Sequence, residues 1–267
     1  MTRLASPTGR DIALRPVRSN AGIEAQYRKR LTALVEEMNA SILHWVGAGY
    51  KQQLPRIAQD DSPAEAMRAL MRRMAAQWMR NFDTGAEKLA AWFAQKNRDY
   101  ADRALAATLK DAGFSVEFRV TQPINDALEA VIGENVSLIK SIASRHLSQV
   151  ETLVMQSVQQ GRDLGTLAKG LQKQFGVSKR RAALIARDQN NKATAAITRT
   201  RQQSLGITQA KWRHSGAGKE PRPSHVHADG KVYDLARGMY LDGVWTWPGV
   251  EINCRCTSSP IIPGFIE

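Results

Sequence analysis

Cys254 and Cys256 are the only thiols in the chain, and they stand one residue apart. Alternate residues of an extended strand share a face, so a Cys-x-Cys pair aims both sulfurs to one side. A bond between them would close a very small, strained ring. A stabilising disulfide is therefore not expected, and a reducing compartment fits. Upstream runs Arg222-Pro223-Ser224-His225-Val226-His227-Ala228-Asp229-Gly230. Zinc accepts thiolate sulfur, imidazole nitrogen and carboxylate oxygen in a tetrahedron. His225 and Asp229, with His227 as the alternative ligand, would complete such a site around Cys254 and Cys256. The competing reading is two small buried hydrophobes beside a hydrogen-bonded loop histidine, because the paired Cys-x-x-Cys signature is absent. A histidine pair beside an acid would also activate water on an ion with an open position. A metal-dependent nuclease or hydrolase is thus the alternative function. The chain has no Gly-x-x-x-x-Gly-Lys loop and no Gly-x-Ser-x-Gly elbow.

Charge supplies the second chemical signal. Lys and Arg number 38 against 25 Asp and Glu, a formal net charge of +13 over 267 residues. Folding does not need that surplus and is opposed by its self-repulsion, so it points to a polyanionic partner. Between 179 and 201, Lys179, Arg180, Arg181, Arg187, Lys192, Arg199 and Arg201 stand against one acid, Asp188. Singly, each reads as a solvated helix residue. Together they imply salt-dependent contact with DNA or another polyanion, without sequence preference.

The elements that position these residues follow from periodicity. Residues 1–19 carry Pro7, Gly9 and Pro16 without sustained period and read as a flexible arm. From Asn20, a plausible cap, Ile23, Tyr27, Leu31, Val35, Met38, Ile42 and Val46 form one apolar stripe. Ser62, Pro63 and Glu65 are a start signal for a second helix. The pattern predicts long helices near 21–46, 63–109, 123–160 and 178–205, with a short one from Asp163 to Phe175 stopped by Gly176. Gly206 ends the last of them. After it the chain turns rich in Gly, Pro and Trp, with a strand expected at 207–213 and Tyr240, Trp245 and Trp247 expected to fill a small core. The fold expected is mainly α with a smaller C-terminal α+β module: arm 1–19, helical body 20–177, module 178–267. No apolar run approaches the ~18–20 residues that cross a bilayer, and no secretory apolar stretch opens the chain.

The order Trp212, Arg222-Pro223-Ser224-His225, Asp229-Gly230, a Pro248-Gly249 turn and a closing Asn253-Cys254-Arg255-Cys256 resembles the phage Mu F-like head morphogenesis family. The helix 181–187 before it looks similar too, so the resemblance covers about residues 178–260. It implies a non-catalytic minor head (minor capsid) protein of a tailed phage, acting in procapsid assembly or in DNA packaging or ejection near the portal. The partners implied are capsid, portal or scaffold proteins and packaged DNA, without a membrane anchor. The location implied is the virion head, and the host cytoplasm during assembly. Structural zinc is the candidate cofactor. Trp212, Arg222, Gly230, Asn253 and Arg255 are the remaining motif positions. Arg222 and Arg255 have two readings: bridges to carboxylates that staple loops, or contacts to DNA or a neighbouring subunit. Some relatives carry an acid near the position of Gln189, where this chain is neutral.

Overall fold

The computed structural model describes residues 11–52, 62–161, 163–216, 218 and 220–264. Four long helices precede a small β-rich segment, as expected: α1 (Ala21–Gln52), α2 (Pro63–Asp111), α3 (Gln122–Gln159) and α4 (Leu164–Ser204). After them come β2 (Gln209–Arg213), α5 (Pro223–His227), β3 (Val232–Asp234), β4 (Met239–Leu241), β5 (Val244–Thr246) and β6 (Thr257–Ile262), while β1 (Ile12–Ala13) lies near the start. Among the described residues, no helix is long and apolar enough to cross a membrane. The chain divides into two compact units. One gathers the residues up to Glu24, Ala91–Ile132 and Arg187 onward; the other consists of Ala25–Ala90 and Gly133–Ala186.

Among its described residues, the second of these units is helical apart from short links. Asn20 caps α1, its Oδ1 accepting the N–H groups of Gly22 at 2.8 Å and Ile23 at 3.1 Å. The helix continues past Gly47 and Gly49 to Gln52 instead of stopping. Gly49 is helical for a packing reason, since a Cβ there would meet the Leu70 and Met67 side chains at 3.0 and 3.1 Å. Tyr27, Leu31, Met38 and Ile42 of the predicted stripe are fully buried, as are Met67, Met71 and Phe82 of α2. The break expected at Gly176 does not occur, and α4 is continuous. A helical glycine costs only about 1 kcal/mol, and buried Leu167 and Leu171 before it and Ala182 and Ile185 after it hold one helix face in place. Ser178 lies inside the helix, its hydroxyl buried against His146 Nδ1 at 2.8 Å. Burial pushes His146 down to about 4, which keeps the ring neutral.

The other unit carries the sheet. Its order is β1-β6-β2-β3, all antiparallel, with Gln209↔Ile261 and Arg213↔Thr257 setting the β2–β6 register. The stretch 11–19 is not a free arm: Ile12 and Ala13 pair with Ile262 and Ile261, and Leu14 and Val17 are buried. The first ten residues of the expected arm lie outside the described residues. Gly206 ends α4 with φ +80°, the Gly206 N–H reaching Gln203 O and the Ile207 N–H reaching Gln202 O. That pair of bonds is a Schellman ending, and it turns the chain directly into β2. Residues 114–121 form no strand. The core packs Trp212, Leu235, Ala210 and Ile262 with Leu105 and Leu109 of α2. The Asp242-Gly243 loop has positive φ at both residues, and the two-residue hairpin β4–β5 needs that. The hairpin pairs Tyr240 with Trp245, ring centroids 5.5 Å apart, on the solvent side. Both rings are exposed rather than core residues. Trp247 packs partly inward and donates its indole N–H to Leu235 O at 2.9 Å.

Candidate functional site

His225 is the one buried residue of the short helix α5. Pro223 sits in its first turn, where a missing N–H costs nothing. The ring is held edge-on to Trp212, centroids 5.1 Å apart, and Trp212 packs in turn on Tyr233. Cys254 and Cys256 arrive from the segment leading into β6. His225 Nδ1 lies 3.5 Å from Cys254 Sγ and 3.8 Å from Cys256 Sγ. These three atoms fall within 4.8 Å of one another, and the residues are only 3%, 3% and 5% exposed. Both thiols are free. Cys254 is pulled below the ordinary thiol range, first by its bond with Cys256, then by backbone N–H groups of Cys256 and Gly249 and by His225. Cys256 is pushed up by the same bond and by burial.

The turn before the cysteines explains the rest of the motif. Asn253 has φ +61°, a left-handed conformation that asparagine tolerates better than most side chains. Its N–H donates to Asp188 Oδ1 at 2.7 Å, and its side-chain oxygen accepts from Arg187 at 2.8 Å. Gly249, at φ +85°, passes so close to α4 that a Cβ would lie 3.0 Å from Ala195 Cβ. Its N–H donates to Cys254 Sγ at 3.3 Å. Asp188, the neighbour of Gln189, is therefore the acid that anchors this turn. Arg222 Nε lies 3.3 Å from Glu251 Oε2, and its Nη2 donates to Ile252 O at 3.0 Å, tying the α5 loop to the turn. Gly230 has φ +77° and donates to Trp212 O at 2.8 Å. Arg255 is exposed.

Two sequence-named ligands are corrected. His227 is two residues from His225 on a helix, about 200° around the axis, and it is exposed. Asp229 lies beyond the end of α5, where its Oδ1 accepts the His214 N–H at 2.9 Å. Neither joins the cluster. The carboxylate that approaches His225 is Glu251, with Oε1 3.5 Å from Nε2. The signal for it was present: Glu251 is the only acid between Asp242 and Glu267.

The basic residues disperse. Lys179 pairs with Glu36 at 2.9 Å, Arg181 donates to Ser141 at 2.7 Å, Lys192 pairs with Asp188 at 3.3 Å, and Arg180 is exposed. Arg201 is a correction: it is 2% exposed and forks onto Asp102 with two bonds of 2.7 Å, so it presents no charge to a partner. Arg187 and Arg199 instead line a cavity of about 870 Å³ with Arg15, Arg18, Arg213 and Arg255. Glu24 and Asp229 are the only carboxylates among its described lining residues. Arg199 stacks over the Trp247 ring at 4.2 Å, Arg213 Nε donates to Ser259 at 3.2 Å, and Arg187 Nε is buried without a partner. Sequence reading missed Arg15 and Arg18 because the segment that follows β1 lies far from α4 in the chain.

Comparison with known proteins agrees with this layout. The chain is 28% identical over 257 residues to an uncharacterized protein of Haemophilus influenzae, a match covering 93% of this chain and 55% of that protein. This chain thus spans little more than half the length of that relative. No solved structure matches it. Residues 148–259 match the family described as phage Mu protein F like protein. That stretch contains Asp188, Trp212, Arg222, His225, Glu251 and the Asn253–Cys256 turn, and over it the chain is similar to the phage Mu F-like family.

Proposed function

We propose that this protein is a structural component of a tailed-phage head, a minor head protein that joins the procapsid by contacts to capsid, portal or scaffold proteins. The observation that carries the reading is the family match over 148–259, which takes in every motif residue of the β-rich module. Those residues act on one another: Arg222 with Glu251, Asn253 with Asp188 and Arg187, His225 with the two thiols. Such a network braces a surface. The exposed Tyr240–Trp245 pair on the β4–β5 hairpin offers a neighbouring subunit aromatic area of the kind favoured at interfaces. The hydrolase alternative named His225, His227 and Asp229 around one ion, and these three do not converge. Mass spectrometry of heads purified from a phage that carries this gene is expected to find the protein. Deletion of the gene is expected to lower the yield of filled heads at least about tenfold, roughly 1.4 kcal/mol if read as an equilibrium. Heads that lack the protein, with undiminished yield after deletion, would remove the proposal.

Within the head, the arginine-lined cavity is the part suited to DNA phosphate. Burial works against the charge of Arg199, and a phosphate in the cavity would relieve that cost. If about four phosphates are neutralised, affinity for duplex DNA should fall about 100-fold between 50 and 200 mM salt. The double substitution Arg199→Ala, Arg213→Ala should lower the slope of log K against log salt by about two. A titration by fluorescence anisotropy checks this, and a salt-insensitive signal would assign the cavity to another ligand.

A further inference from the structure

We propose that His225 Nδ1, Cys254 Sγ and Cys256 Sγ bind one zinc ion, with Glu251 as the carboxylate that orients the histidine from behind. This inference does not rest on the head-protein reading and can fail or hold without it.

The donor set is the first argument. Two sulfurs and one imidazole nitrogen lie within 4.8 Å of one another, and the nitrogen–sulfur separations of 3.5 and 3.8 Å are those between neighbouring donors of a tetrahedron with zinc bonds of about 2.0–2.3 Å. Soft thiolates with imidazole select zinc over the hard cations magnesium and calcium. The second argument is ring orientation. Nδ1 faces both sulfurs, and Nε2 on the far side faces Glu251 Oε1 at 3.5 Å. The two ring nitrogens point away from each other, so Glu251 cannot reach an ion held at Nδ1. It is placed to accept the Nε2 proton, the outer-shell carboxylate arrangement common to zinc-bound histidines. His225 Nε2 and Glu251 Oε1 are both buried and lack any other hydrogen-bond partner. Arg222 holds the remaining Glu251 oxygen.

The third argument is a donor aimed at sulfur. The Gly249 N–H donates to Cys254 Sγ at 3.3 Å, a bond that stabilises a coordinated thiolate. Packing alone asks for none of this. Among the described residues no fourth protein ligand joins the three. The cluster instead borders a cavity of about 720 Å³ lined also by His214, Ser215, Asn253 and Arg255. The fourth position would be open to a water from that side. The ion would tie the α5 loop to the lead-in of β6, so its role is to brace the module.

The test uses the full chain, purified under reducing conditions from zinc-supplemented cells. About one zinc per chain is expected by elemental analysis, and none after Cys254→Ser. Because C254S changes buried packing as well as a ligand, Glu251→Gln is the second variant. It should keep the native circular dichroism and bind zinc 10–100-fold more weakly in competition with a chelator. Cobalt in place of zinc should give a sulfur-to-metal charge-transfer band in the native chain. Reduced, folded protein that holds no zinc would overturn the proposal. So would cobalt bound without a thiolate band, or E251Q with unchanged affinity.

Discussion

Trp212→Ala is expected to cost about 3–5 kcal/mol and to leave the sheet-bearing unit without fixed packing. Trp212 is fully buried in the central strand pair. Its ring meets His225 at 5.1 Å on one side and Tyr233 at 6.1 Å on the other, so it supports both the candidate metal centre and strand β3. Native domains hold only about 5–15 kcal/mol in total, and a unit with such short strands has little surplus. The same truncation at Trp245, which is 44% exposed, should cost under about 1 kcal/mol. Denaturant titration followed by near-ultraviolet circular dichroism separates the two. Equal midpoints for W212A and W245A would mean that the core is not organised around Trp212.

Arg201→Ala should be nearly as damaging, again about 3–5 kcal/mol, for a different reason. The guanidinium forks onto Asp102 with two 2.7 Å bonds, donates to Arg119 O at 2.6 Å, and lies 4.9 Å from the centre of the Phe118 ring. Removing it strands the Asp102 carboxylate, whose side chain is 20% exposed, and frees a carbonyl. The loss measured is chiefly the cost of leaving a charge unpaired. Arg201→Met combined with Asp102→Leu should therefore recover most of the stability lost by Arg201→Ala. Arg201→Lys should not, because a lysine cannot make the two-pronged contact. DNA affinity of a folded Arg201 variant should stay at the native value. A strong loss of affinity with little loss of stability would show that Arg201 faces a partner after all.

Local rules carried the reading of the helices. Asn20 as cap, the Tyr27–Leu31–Met38–Ile42 stripe and Gly206 as terminator are interactions within a few residues, and each appears in the structure. Where local rules were outvoted, burial decided. Gly176 would end an isolated helix, but α4 packs apolar residues on both sides of it and runs through. The segment 11–19 has no period of its own because its order comes from β6, some 250 residues away.

The site divides along the same line. Residue types and spacing were enough to bring forward His225, Cys254 and Cys256, since thiolate and imidazole chemistry is a property of the side chains themselves, and a charge of +13 needs no coordinates. Which carboxylate stands next to the cluster was a question of direction. α5 turns His227 outward, ends before Asp229, and leaves Glu251 behind the imidazole. Tertiary structure likewise sorted the arginines, burying Arg201 on Asp102 and gathering Arg18, Arg187, Arg199, Arg213 and Arg255 around one cavity. Composition sets the amount of charge, but only chain closure over long sequence separations decides which charges meet a partner inside the protein and which are left facing solvent.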